Sequence, residues 1–248
     1  MRDYERETEN RVKFIQELRR SSGAKGIVYG NSGGKDSALV GILCKMACVD
    51  TVGLIMPCGS RRNYEADRRD AELVAQQYDI ATRLVDLSNV RDALIASLEA
   101  TTGLTDSAMA NIAPRLRMTT LYAVAASENR LVAGTGNRSE SYLGYFTKWG
   151  DGASDFNVIH DLTVVEVLDF LRYLQAPPSI IIKAPSAGLF DGQTDEAELG
   201  LKYSSVDSFL LTGKTDEMDQ HLMEKLHRST MHKRRMPLTF QESDHEVS

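Results

Sequence analysis

The stretch VYGNSGGKDSALVGIL, residues 28–43, decides the fold. An apolar run ends in GNSGGKDS, and an apolar helix-like run follows. That is the order strand, glycine turn, helix of a phosphate-binding α/β unit. The turn is not the phosphate loop written G-x-x-x-x-G-K-[ST]. Gly30 lies only four residues before Gly34, and Asp36 stands where that loop has a hydroxyl, displaced here to Ser37. A carboxylate in that place repels phosphate unless a cation lies between them, so the turn asks for phosphate plus metal. Gly33 and Gly34 let the backbone approach an anion without a Cβ clash. Successive amides closed by a helix N-terminus make an anion cradle, and Ser32 and Ser37 add hydroxyl donors. Asp36 suits Mg2+, which takes one or two carboxylates together with substrate phosphates. A helix-capping role for Asp36 leaves the two serines and the glycine pair unexplained.

Outward from this unit, short apolar runs alternate with helical periodicity. Strands are expected at 26–30, 51–57, 81–87 and 130–136, with an opening amphipathic helix that carries Val12, Ile15 and Leu18. Further helices are expected at 36–48, 65–78, 90–99, 118–126 and 162–174, the last ended by Pro177-Pro178. The alternation predicts an α/β fold, a parallel sheet with helices on both faces. Ligands of such sheets bind beyond the carboxyl ends of the strands. GNSGGKDS follows the first strand there, and GTGNRSE (134–140) follows the fourth. Residues 137–162 mix glycines, aromatics and charges without a period, and a loop of that length is usually functional. Residues 184–203 are also loop-like, ahead of a mostly helical tail.

The 248 residues, 42% hydrophobic, are read as one domain spanning 1–248. A net charge of −6 argues against a nucleic-acid partner but not against a small anion held by local cations. No apolar run reaches the roughly 20 residues of a membrane span, and the charged N-terminus lacks a signal-peptide core. Cys44, Cys48 and Cys58 match no zinc or disulfide spacing and read as core packing in a reducing cytoplasm. The basic run HRSTMHKRR (227–235) has a bland reading as a solvated helix end.

The string S-G-G-x-D-S resembles the pyrophosphatase loop of enzymes that split ATP between its α and β phosphates. These include NAD synthetases, the amination domain of GMP synthetase, asparagine synthetase and several tRNA-modifying enzymes. Six colinear blocks select among them: NIAPRLRM (111–118), GTGNRSE, GYFTKWGDGASD (144–155), PSAGL (185–189), QTDEAELGLKY (193–203) and HKR (232–234). Together, from about residue 26 to 235, they resemble ammonia-dependent NAD synthetase. The resemblance implies a Rossmann-like sheet of the adenine nucleotide alpha hydrolase type.

It also implies roles. Gly30, Asn31, Ser32, Gly33, Gly34, Lys35, Asp36 and Ser37 would bind ATP with Thr135 and Ser186, and Asp36 and Glu140 would hold Mg2+. Arg115, Lys148, Asp155, His232 and Lys233 would bind deamido-NAD. The implied reaction adenylates the nicotinate carboxylate, releases pyrophosphate, and lets ammonia displace AMP, with no protein nucleophile and in a homodimer. One departure stands out. Where the family usually has an ATP-contacting lysine after Leu162-Thr163, this chain has Val164, and Lys183 is a candidate substitute. Glutamine-using members carry a nitrilase-like amidase domain, for which this chain has no room. A tRNA-modifying adenylase is disfavoured by the acidic charge and by the lack of paired catalytic cysteines. A non-catalytic ATP sensor would have no use for Glu140 or the GYFTKWGDG loop.

Overall fold

The central strand, β1 (Gly26–Gly30), is flanked on one side by β2 (Thr51–Ile55) and β3 (Ala81–Leu84). On its other side lie β4 (Arg130–Gly134) and β5 (Phe156–Asn157). All pair in parallel, in the order β3-β2-β1-β4-β5. The structure is a computed structural model and describes residues 2–59, 63–183 and 195–240. Among these residues the helices are α1 (Tyr4–Ser22), α2 (Lys35–Ala47), α3 (Arg68–Gln77), α4 (Ser88–Glu99), α5 (Asp106–Ala110) and α6 (Ile112–Glu128). They continue as α7 (Arg138–Leu143), α8 (Val164–Tyr173), α9 (Pro178–Ile182), α10 (Asp195–Leu199), α11 (Tyr203–Thr212) and α12 (Glu217–Ser229).

The expected two-faced parallel sheet is present, and strand alternation divides its core. Ile27, Tyr29, Ala133 and Phe156 pack with Leu39, Ile42, Leu43 and Cys44 of α2, Ile15 of α1, Val74 of α3 and Phe170 of α8. Val28, Val52, Leu54 and Val132 face the opposite side, against Ala113 and Ala125 of α6. A satellite cluster of Leu143, Leu201, Val206 and Met223 joins α7, α11 and α12. Cys44, Cys48 and Cys58 are free and buried, as core residues. No described helix is long and apolar enough to cross a membrane.

Several boundaries differ from the periodicity. β5 lies inside the aperiodic stretch, because two residues carry no pattern and only the register Ala133↔Phe156 makes them a strand. α6 begins six residues before the expected 118, with Pro114 in its first turn, where a missing N–H costs nothing. α3 is preceded by a π-helical turn, Asn63–Asp67, a feature that concentrates at functional sites.

Candidate active site

The loops leaving the carboxyl ends of β1, β2 and β4 surround a cavity of about 750 Å3. GNSGGKDS forms its floor: Gly30, Asn31, Ser32, Gly34, Lys35, Asp36 and Ser37 all line it. Within the turn, the Ser32 and Ser37 hydroxyls lie 3.0 Å apart, and Ser37 donates to the Gly34 carbonyl at 3.0 Å. The N-cap of α2 is Gly34, which supplies no side-chain acceptor. The first-turn amides of α2 therefore keep their capacity to bind an anion. Gly33 is different. It has φ +72°, and a Cβ there would stand 2.1 Å from the Asp67 carbonyl oxygen. Its missing side chain lets the turn pack on the π-helical segment, and Gly33 does not line the cavity.

Asp36 does not cap its helix. Its Oδ2 accepts from Lys35 Nζ at 2.7 Å and its Oδ1 from Asn137 Nδ2 at 3.1 Å. Fully buried Asn137 is the N-cap of α7, and its Oδ1 accepts the Glu140 amide while Glu140 Oε2 accepts the Asn137 amide, each at 3.0 Å. Asn137 thus ties the two carboxylates across the ends of β1 and β4, Asp36 through its side-chain amide and Glu140 through its backbone N–H. Burial, and next the charge of Asp36, push the Glu140 carboxyl up to about 8. Burial works against the Lys35 ammonium, but Asp36, Glu140 and Asp195 outweigh it and hold its pKa above the ordinary lysine range. Two carboxylates so close, one reluctant to ionise, form a pair short of positive charge. Hard oxygen donors in that state fit Mg2+. Among the described residues no cluster of three or more His, Cys, Asp or Glu surrounds a point, so the rest of such a shell would come from phosphate and water.

Thr135 and Lys233 also line the cavity. Lys233 donates to the carbonyls of Gly144 and Phe146, both at 2.8 Å. Arg234 is anchored on the carbonyls of Ser141 and His227. The basic run is a docked segment at these two residues, not a solvated helix end. His232, by contrast, is exposed. Its carbonyl accepts from Lys148 Nζ at 2.6 Å, and the Lys148 carbonyl lies 3.4 Å from Arg115 Nη2. Arg115, Lys148 and His232 form a surface chain beside the cavity and do not line it. Asp155 is spent in part on the sheet, accepting from the Val132 amide at 2.7 Å and the Tyr122 hydroxyl at 3.2 Å. Between them, Trp149 takes φ +61°, an outlying conformation for a bulky residue. Ser186 lies outside the described residues.

Val164 is buried, with its amide on Ser139 Oγ at 3.3 Å, so no cation occupies that place. Lys183 lines the cavity but is bound to Asp67 and Asp70. Residue patterns also missed Asn137 and Arg117. The spacing N-x-x-E of a capping box would have flagged Asn137. Arg117, whose Nε donates to the Met56 carbonyl at 3.0 Å, lines the cavity, two positions on from the surface-facing Arg115 and so on the other side of the helix. Helical phase separates the two arginines, and NIAPRLRM does not show which faces inward.

The model of the NAD synthase family matches residues 7–248. The NH(3)-dependent NAD(+) synthetase of Carboxydothermus hydrogenoformans is 45% identical over 238 residues, 95% of this chain and 97% of that protein. That of Pyrococcus furiosus is 38% identical over 95% of this chain and 94% of its own length. The structure of NMN synthetase from Francisella tularensis superposes with a TM-score of 0.91 at 34% identity, covering 96% of this chain and 99% of that one. The NH3-dependent NAD synthetase of Campylobacter jejuni gives 0.80 at 30% identity over 97% and 100%. A family model that matches nearly the whole chain, and relatives aligned from end to end with it, lead to one conclusion: this chain belongs to the NAD synthase family.

Proposed function

We propose that this chain is an ammonia-dependent NAD synthetase of the cytoplasm that works as a homodimer. The observation that carries the reading is the Asp36–Asn137–Glu140 bridge over the glycine turn, on a cavity whose far wall is the Gly144–Thr147 segment and Lys233. The turn holds the β and γ phosphates of ATP, with Thr135 and Ser186 as further ATP contacts. Deamido-NAD lies against Lys233, its remainder reaching the surface chain of Arg115, Lys148 and His232, with Asp155 as a further contact.

A nicotinate oxygen attacks the α phosphorus. The bond from that phosphorus to the bridging oxygen breaks, and pyrophosphate leaves with the bonding pair. The ammonia nitrogen then attacks the acyl carbon, AMP departs with the carbon–oxygen pair, and the surplus proton passes to solvent. Mg2+ bound by Asp36 and Glu140 would neutralise phosphate charge. The chain supplies alignment: fixed amides on the leaving pyrophosphate and Lys233 on the acceptor nucleotide. Support for the dimer comes from the outer layer of the sheet. α4 packs on α6 and buries none of its residues; its Val90 and Leu94 are 50% and 38% exposed, and Leu84 of edge strand β3 is 49% exposed. A row of apolar side chains next to an unpaired edge is a surface that needs covering.

The similarity to NMN synthetase favours one second reading, amidation of the nicotinate mononucleotide. Both are tested by incubating the purified chain with ATP, Mg2+ and ammonium and either deamido-NAD or the mononucleotide, while following AMP and the amidated product. The dinucleotide is expected to win in kcat/KM, with glutamine unable to replace ammonium. Preference for the mononucleotide establishes the second reading, and AMP formation with neither acid refutes both.

A further inference from the structure

Lys183 follows α9 and lines the cavity, where a phosphate ligand would be expected. Its ammonium is already engaged. It lies 2.6 Å from Asp70 Oδ2 of α3, 2.9 Å from Asp67 Oδ1 and 3.2 Å from the Gly33 carbonyl. An ammonium has three donors, and three acceptors are present. The side chains of Lys183, Asp67 and Asp70 are only 17%, 11% and 17% exposed. Gly33 also leaves no room for a side chain: in its left-handed conformation an added Cβ would stand 2.1 Å from the Asp67 carbonyl oxygen. Two residues further back, Asn31 Nδ2 donates to the Ala71 carbonyl of α3 at 3.1 Å.

We infer that Lys183 is a positioning residue for the ATP cradle, acting through the Gly33 carbonyl and α3 and not by contact with phosphate. This rests on the proposed reading of the glycine turn as the ATP site. A turn with two successive glycines has many accessible backbone states, and an anion cradle is strong only when its amides already converge. The Lys183–Asp67–Asp70 cluster removes that freedom at the one glycine whose amide and carbonyl are both outside the cavity wall. The second aspartate separates this role from its rivals. A phosphate-binding Lys183 would be restrained by Asp70, and a Lys183 that merely offsets local negative charge would be opposed by it.

The test is ATP affinity, by calorimetry on the full chain in Mg2+, for Lys183→Met, Asp70→Asn and the double variant, with thermal midpoints and deamido-NAD affinity alongside. Positioning predicts that Lys183→Met weakens ATP about tenfold, the loss of one charge-assisted contact. It predicts that Asp70→Asn weakens ATP in the same direction, that the double variant is no worse than Lys183→Met, and that deamido-NAD affinity holds. Unchanged or tighter ATP binding in Asp70→Asn overturns the inference, as does a lowered midpoint with ATP affinity intact in both single variants. Gly34→Val serves as the control. If ATP binding survives it, the reading of the turn falls. If Gly34→Val abolishes binding while Asp70→Asn leaves it untouched, only the inference about Lys183 falls.

Discussion

Replacing Glu140 by glutamine should make the metal-free protein more stable while abolishing its activity. The folded protein keeps the Glu140 proton up to about pH 8, whereas the carboxyl ordinarily gives it up near 4.5. Between those limits the folded state binds more protons than the unfolded one, so stability falls as pH rises through the window. At ~1.4 kcal/mol per pH unit the full gap would approach ~5 kcal/mol. Glu140 is only partly buried, and cavity water screens it, so a loss on the order of 3 kcal/mol is expected by about pH 8. Glutamine keeps the shape without the charge, which should flatten that slope. Saturating Mg2+ should flatten it in the unmodified protein too, because a cation between Asp36 and Glu140 favours the ionised form. Denaturant unfolding across the window, in chelator and in Mg2+, measures both. A slope that persists in Glu140→Gln, or that Mg2+ leaves untouched, refutes the account of this pair as a cation site.

Asn137→Ala removes a buried helix cap and the only described tie between Asp36 and the α7 N-terminus. It should cost about 1–2 kcal/mol in unfolding free energy and raise the Mg2+ concentration needed for half-maximal rate; an unchanged Mg2+ requirement would reduce Asn137 to a cap. Lys233→Ala should raise the KM for deamido-NAD about tenfold and barely move that for ATP. His232→Ala keeps the backbone carbonyl through which His232 holds Lys148, so it should raise the KM for deamido-NAD less than about threefold and leave that for ATP unchanged. Equal effects of the two would show that the segment acts as a whole. Leu94→Glu, on the exposed face of α4, should halve the mass in sedimentation equilibrium, since a charge facing its symmetry copy is desolvated without a partner; a mass unchanged by the substitution would move the interface elsewhere.

Sequence alone determined the α/β class and the position of the glycine turn at the end of β1. Those features are local. A strand-turn-helix unit needs only period, glycines and a helix start, all carried by neighbouring residues, and colinear blocks carry the family. Tertiary structure decided what each polar group is spent on. Gly33 and Gly34 look alike in the chain, but only Gly34 lines the cavity, because the π-helical turn 63–67 comes to rest against Gly33. Lys148 and Lys233 look equally apt for an anion, yet one holds a surface carbonyl and the other reaches the cavity wall. Arg115 and Arg117 differ by two positions, which on a helix turns one outward and one toward Met56. Lys183 and Asp70 are 113 residues apart, so no local pattern links them. A hydrogen bond is chosen by what the folded chain brings within about 3 Å, and for long-range partners that choice is made by packing of the sheet and its helices, not by the residues on either side.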